Sequence, residues 1–153
     1  TQALIIEVDA DNRILVKVLD VDAGKIMREF LIDNISEENK TKYSFEKRKE
    51  KAYVPVFPEG SALSYKKDGL KHYITVPQAK VSEENEVFVY RISVLNEKGK
   101  TVHEDWVFSD YFFADKPESI TFDGFITLSK SFTVKVYAED VWGNKSEPLE
   151  IKI

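Results

Sequence analysis

The sequence has no cysteine, one methionine, two tryptophans and two histidines among its 153 residues. Without cysteine there is no thiolate nucleophile, no disulfide and no thiolate metal site. A cysteine-free chain suits the cytosol and the bacterial envelope alike, so this absence carries no compartment signal. No run approaches the roughly 18 consecutive apolar residues of a membrane helix, so no membrane span is expected. Positive charge is outnumbered, with 22 Lys and Arg against 27 Asp and Glu. The formal balance of −5 argues against a nucleic-acid partner, which needs a concentrated positive field. No signal peptide is visible, and the chain begins at Thr1 rather than Met, which reads as a piece of a longer protein.

The length allows one domain, or a domain of about 100 residues with an appendage. A chain of this size buries roughly 70% of its unfolded surface and needs no metal or disulfide staple.

What is abundant is period-2 alternation of β-branched and aromatic residues, the strand signature. "ALIIEV" places Leu4, Ile6 and Val8 on one face, and "RILVKVLDV" does the same with Ile14, Val16 and Val18. The turn-forming stretches "DADN" and "DAGK" separate these from each other and from "KIMREFLI". Residues 1–33 therefore predict a short antiparallel three-stranded segment. Residues 34–51 are polar and charged apart from Ile35, Tyr43 and Phe45, and read as a linker with one helical turn opening at Ser36. The basic run Lys47–Lys51 is interrupted by Glu50, follows Glu46 and lacks interleaved aromatics, so a solvated segment outweighs a nucleic-acid patch.

From Ala52 to Ile153 six or seven short strands follow, with turn signals at sandwich-like spacing. "EVFVYRISVLN" puts Phe88, Tyr90, Ile92 and Val94 on one face, and "EKGK" is a hairpin turn. "SFTVKVYAE" aims Phe132, Val134, Val136 and Ala138 at a core, leaving Thr133, Lys135 and Tyr137 outside. The fold class expected is all-β, an immunoglobulin/fibronectin type III-like β-sandwich preceded by the three-stranded segment. In "EDVWGN", Gly143 and Asn144 supply positive φ, Asp140 and Asn144 satisfy turn amides, and Trp142 lids the core. Structural work accounts for every residue of that turn.

Catalytic and metal constellations are not found. His103 stands beside Glu104 and Asp105, but strand neighbours face opposite ways, so only His103 and Asp105 share a side. A solvated strand face is the expectation there. In "DADNRILVKVLD" the positions that an EF-hand fills with Gly and Glu hold Ile14 and Asp20, so a turn is expected rather than a calcium loop. "WVFSDYFF" is the richest aromatic cluster. Trp106, Tyr111 and Phe112, together with Trp142, are the candidate ligand or inter-domain surface. The sequons starting at Asn34, Asn39 and Asn144 read as chance occurrences in polar turns.

"FTVKVYAEDVWGNKSEPL" resembles the last two strands of a fibronectin type III domain. It departs from that family at Phe132, where the tyrosine-corner Tyr usually stands, and at Val76, where a buried Trp is common. "ALIIEVDADNRILVKVLDVDAGKIMREFLI" is similar to the final strands of bacterial calcineurin-like metallophosphoesterases, and to the accessory regions that follow them. That family binds two metals through Asp-x-His, Gly-Asp, Gly-Asn-His and Gly-His-x-His motifs, and none of these occurs here. The resemblance implies a non-catalytic C-terminal accessory domain, without cofactor, whose partner is the upstream catalytic domain of the same chain. It also implies a periplasmic, extracellular or cell-envelope location. The alternative is a module binding carbohydrate or another envelope component, such as an envelope protein.

Overall fold

The computed structural model describes residues 1–33, 36, 44–81 and 85–153. Among the described residues the chain is all-β apart from one short helix, and it forms two compact units. One comprises Thr1–Lys51 with Tyr111–Lys116, and the other Ala52–Asp110 with Pro117–Ile153.

The first unit is an antiparallel sheet of β1 (Gln2–Val8), β2 (Ile14–Asp20) and β3 (Lys25–Ile32), in that order. Side-chain hydrogen bonding closes both of its turns. The Asp9 carboxylate accepts from the Asp11 and Arg13 amides and from Arg13 Nε at 2.7 Å. Asp20, almost fully buried, accepts from the Asp22 and Ala23 amides. These are turn geometries, as expected for a stretch that fails the calcium-loop pattern.

Tyr111–Lys116, which the sequence reading counts with the sandwich, is bonded within this first unit. Gln2 Nε2 donates to the Phe112 carbonyl, the Ala114 amide donates to Asp20, and Lys25 pairs with Asp115. Such contacts span some ninety residues of sequence, and no local pattern announces them.

The helix α1 (Phe45–Glu50) stands where the sequence suggested a linker. Ser44 caps it by accepting from the Lys47 amide, and Lys47 pairs with Glu50 one turn on. The helical turn expected at Ser36 and the sequons at Asn34 and Asn39 involve positions outside the described residues.

The second unit carries two sheets on one core. β4 (Ser64–Asp68), β5 (Lys71–Pro77) and β8 (Ser119–Thr121) form a three-stranded sheet in the order β4-β5-β8. β6 (Val87–Asn96), β7 (Thr101–Phe108), β9 (Phe132–Asp140) and β10 (Leu149–Lys152) form a four-stranded sheet in the order β10-β9-β6-β7. All pairings are antiparallel. Ile74, Val76 and Ile120 from the three-stranded sheet, with Phe122 just past β8, meet Tyr90, Ile92, Val94, Val134 and Val136 from the four-stranded one. This is a β-sandwich arrangement, and β9 alternates buried and half-buried along its whole length.

Two local expectations change. A register shift between Val87 and Val89 moves Val87 into the core cluster in place of Phe88, whose ring packs edge-on against Phe108 at 5.5 Å. In the last turn Gly143 alone has positive φ, at 84°. Asn144 is held there by its side chain instead.

Candidate functional site

The turn between β9 and β10 is built around a buried carboxylate. Asp140 accepts from the amides of Trp142 and Asn144 and from the Nδ2 groups of Asn144 and Asn85, all at 2.8 Å. Asn85 Nδ2 also donates to the Tyr53 carbonyl, tying the start of the unit to its end. With both Asp140 oxygens engaged, this acidic turn is a structural latch. The Asn144 side chain is committed to it, and Trp142 is half-buried beside it.

The histidines are likewise packing groups. His72 is buried, with Nδ1 2.9 Å from the Tyr65 hydroxyl, and its ring lies against Phe125 and Phe132. Burial, reinforced by nearby Lys67, pushes the imidazole below its usual pKa. His103 pairs with Val94 and Asp105 with Ile92, so these two do share a face while Glu104 points away. Rather than a purely solvated position, His103 is half-buried and stacked on Phe125 with centroids 5.2 Å apart. Among the described residues no three His, Asp or Glu side chains gather in a way that could hold a metal ion.

The four aromatic candidates divide between the two units. Tyr111 and Phe112 belong to the first unit, their rings 5.3 Å apart. Trp106 and Trp142 belong to the second, Trp106 on β7 and Trp142 in the latch turn.

Trp106 does stand at a concavity. On the outer face of the four-stranded sheet, cross-strand pairing aligns Trp106, Arg91 and Tyr137 in one row and Glu104, Ser93 and Lys135 in the next. Around them is an open depression of about 830 Å³, whose lining includes Arg91, Glu104, Trp106, Tyr137, Glu139 and Lys145. A second, of about 370 Å³, continues along the same sheet past Leu95, Thr133 and Lys135. Trp106 is 50% exposed, with one edge against the Phe108 ring at 5.0 Å. Arg91 reaches Glu139 through Nε and Nη2, and Lys145 approaches the same carboxylate at 3.7 Å. The Arg91 hydrogen bond holds the Glu139 carboxyl below its usual pKa. Lys135 pairs with Glu150 on β10. Of these residues the sequence marks Trp106 as a surface candidate, and Glu104 only as a neighbour of His103. The period-2 pattern does put Tyr137 and Arg91 outside, but only the strand register aligns them with Trp106.

The first unit offers a different surface. Register places Leu4, Ile6 and Val8 of β1, Ile14, Val16 and Val18 of β2, and Phe30 and Ile32 of β3 on one face. Of these only Val16 is buried, while Leu4, Ile6 and Val8 are each about 60% exposed or more. The opposite face carries the charged Glu7, Lys17 and Glu29 among the apolar Ile5, Leu15 and Leu31, with Lys17 2.8 Å from Glu7.

These features define an all-β chain with a sandwich unit and a three-stranded sheet that exposes apolar side chains. No protein-family model matches the chain, nor does any curated protein or solved structure match it. No helix among the described residues is long and apolar enough to cross a membrane.

Proposed function

We propose that the chain is a non-catalytic accessory domain of a secreted or periplasmic bacterial metallophosphoesterase, docked on the catalytic domain through its three-stranded sheet. The observation that carries this reading is the apolar face of β1–β3. Eight aliphatic or aromatic residues share it in register, and most of them remain in contact with water. Contiguous apolar surface of this kind marks an interaction site on a folded protein. A three-stranded sheet with so little buried also draws its stability from a second layer.

The resemblance of these strands to the closing strands of the metallophosphoesterase sandwich supplies the occupant. The sheet would lie against, and extend, the catalytic domain of the same polypeptide. Phosphoester chemistry then belongs to the partner domain's metals, and this chain contributes area, spacing and orientation.

The test compares the chain alone with the full-length polypeptide that carries it. Ile6→Asp should cost the isolated chain less than about 1 kcal/mol, because the site is already exposed. In the full-length protein the same change should bury an unpaired charge and lower the melting temperature of the catalytic domain by several degrees. Equal, small effects in both contexts would overturn the docking.

A further inference from the structure

We propose that the outer face of the four-stranded sheet binds a neutral, extended oligosaccharide, with Trp106 and Tyr137 as its two stacking positions. The inference rests on the sandwich unit alone and stands or falls independently of the docking described above.

Three observations carry it. Trp106 and Tyr137 face outward in one cross-strand row with Arg91 between them. Two strand spacings separate their backbones by roughly 10 Å. That is about the length of two linked hexoses, so each ring can meet the apolar face of a different sugar. Secondly, Trp106 is half-exposed, yet its edge contact with Phe108 restrains the ring. A restrained platform loses little side-chain freedom when a sugar stacks on it.

Thirdly, the cations around the depression are already matched. Arg91 and Lys145 lie against Glu139, and Lys135 lies against Glu150. A phosphate or carboxylate ligand would have to compete with these carboxylates for each cation. Sugar hydroxyls need not, because they donate to carboxylate lone pairs and accept from the remaining N–H groups without breaking the pairs. Glu104, reached by the Ser93 hydroxyl at 3.4 Å, is a further acceptor at the rim. The second depression on the same sheet lengthens the surface, which suits a chain rather than a single sugar. A protein partner would call for a continuous apolar patch around the tryptophan, whereas beyond Phe108 the lining of the depression is mostly charged or hydroxyl-bearing.

Calorimetric titration of the intact chain with cellohexaose, β-1,4-mannohexaose, hexa-N-acetylchitohexaose and hexagalacturonate tests the proposal. Saturable binding of at least one of the three neutral probes is expected, with hexagalacturonate bound at least about tenfold more weakly. Trp106→Ala and Tyr137→Ala should each weaken that binding about tenfold or more, the scale of a lost stacking contact. Tyr137→Phe, which keeps the ring, should change it less than about threefold. Trp106→Phe provides a second reading at the edge strand should Trp106→Ala fail to fold, and should weaken binding by an intermediate factor. Failure of all three neutral probes, preference for the galacturonate, or indifference to the loss of both rings would overturn the proposal.

Discussion

Asp140 and His72 show how single polar groups hold the sandwich. The Asp140 carboxylate engages four donors from three residues, two of them backbone amides. Asp140→Ala should cost about 2–4 kcal/mol, because it strands buried donors as well as removing the bonds. Asp140→Asn should cost less, since one acceptor oxygen remains; urea denaturation of both variants checks the order. For His72 the sign follows from burial. Its folded pKa lies below the unfolded value near 6.5, so the unfolded chain takes up the proton first as pH falls. The stabilisation is present above about pH 6.5 and is lost as pH falls from there toward the folded pKa. Replacing the ring by His72→Phe should flatten the change in urea midpoint between about pH 7 and pH 5. An equally steep change in the variant would remove His72 as the cause. Glu139 has the same sign at lower pH, its carboxyl being held down by Arg91.

At the scale of elements, the strands differ in how far their alternation could be read. In β9, Phe132, Val134, Val136 and Ala138 are buried as their spacing implies, because β6 pairs along the whole strand and β10 along Thr133–Val136. In β6 the same logic misplaces Phe88, because a register shift is a property of the pair and not of either strand. The helix at Phe45–Glu50 escaped notice for another reason: its six residues bury nothing, so it has no apolar stripe to detect. The latch turn was legible from Asp140, Gly143 and Asn144. The Trp106–Arg91–Tyr137 row was not, since it depends on which residues of three strands lie opposite each other. Core substitutions should follow the layers. Ile92→Ala should cost about 2–5 kcal/mol. Gly124→Ala should cost about 1–2 kcal/mol, because its Cβ would sit 2.7 Å from the Tyr73 ring. Thermal denaturation of the two variants would contradict this packing if Gly124→Ala proved the more damaging.

For the whole molecule, the contrast between the units is the functional clue. The sandwich unit has a shared core and exposes a polar outer face, whereas the three-stranded unit leaves most of its apolar face in water. The strap Tyr111–Lys116 ties itself to the end of that sheet near Gln2, Asp20 and Lys25, away from Ile6 and Val8. Neither the strap nor the extent of exposure could be foreseen from the alternation of β1–β3, which fixes the faces but not what covers them.

The proposed role makes the chain an adjunct to phosphoester chemistry performed elsewhere in its polypeptide. The most direct measurement is metal-dependent hydrolysis of bis(4-nitrophenyl) phosphate, run side by side for the isolated chain and for the full-length protein. Turnover by the full-length protein alone is the predicted result. Turnover by the isolated chain, or by neither, would contradict it.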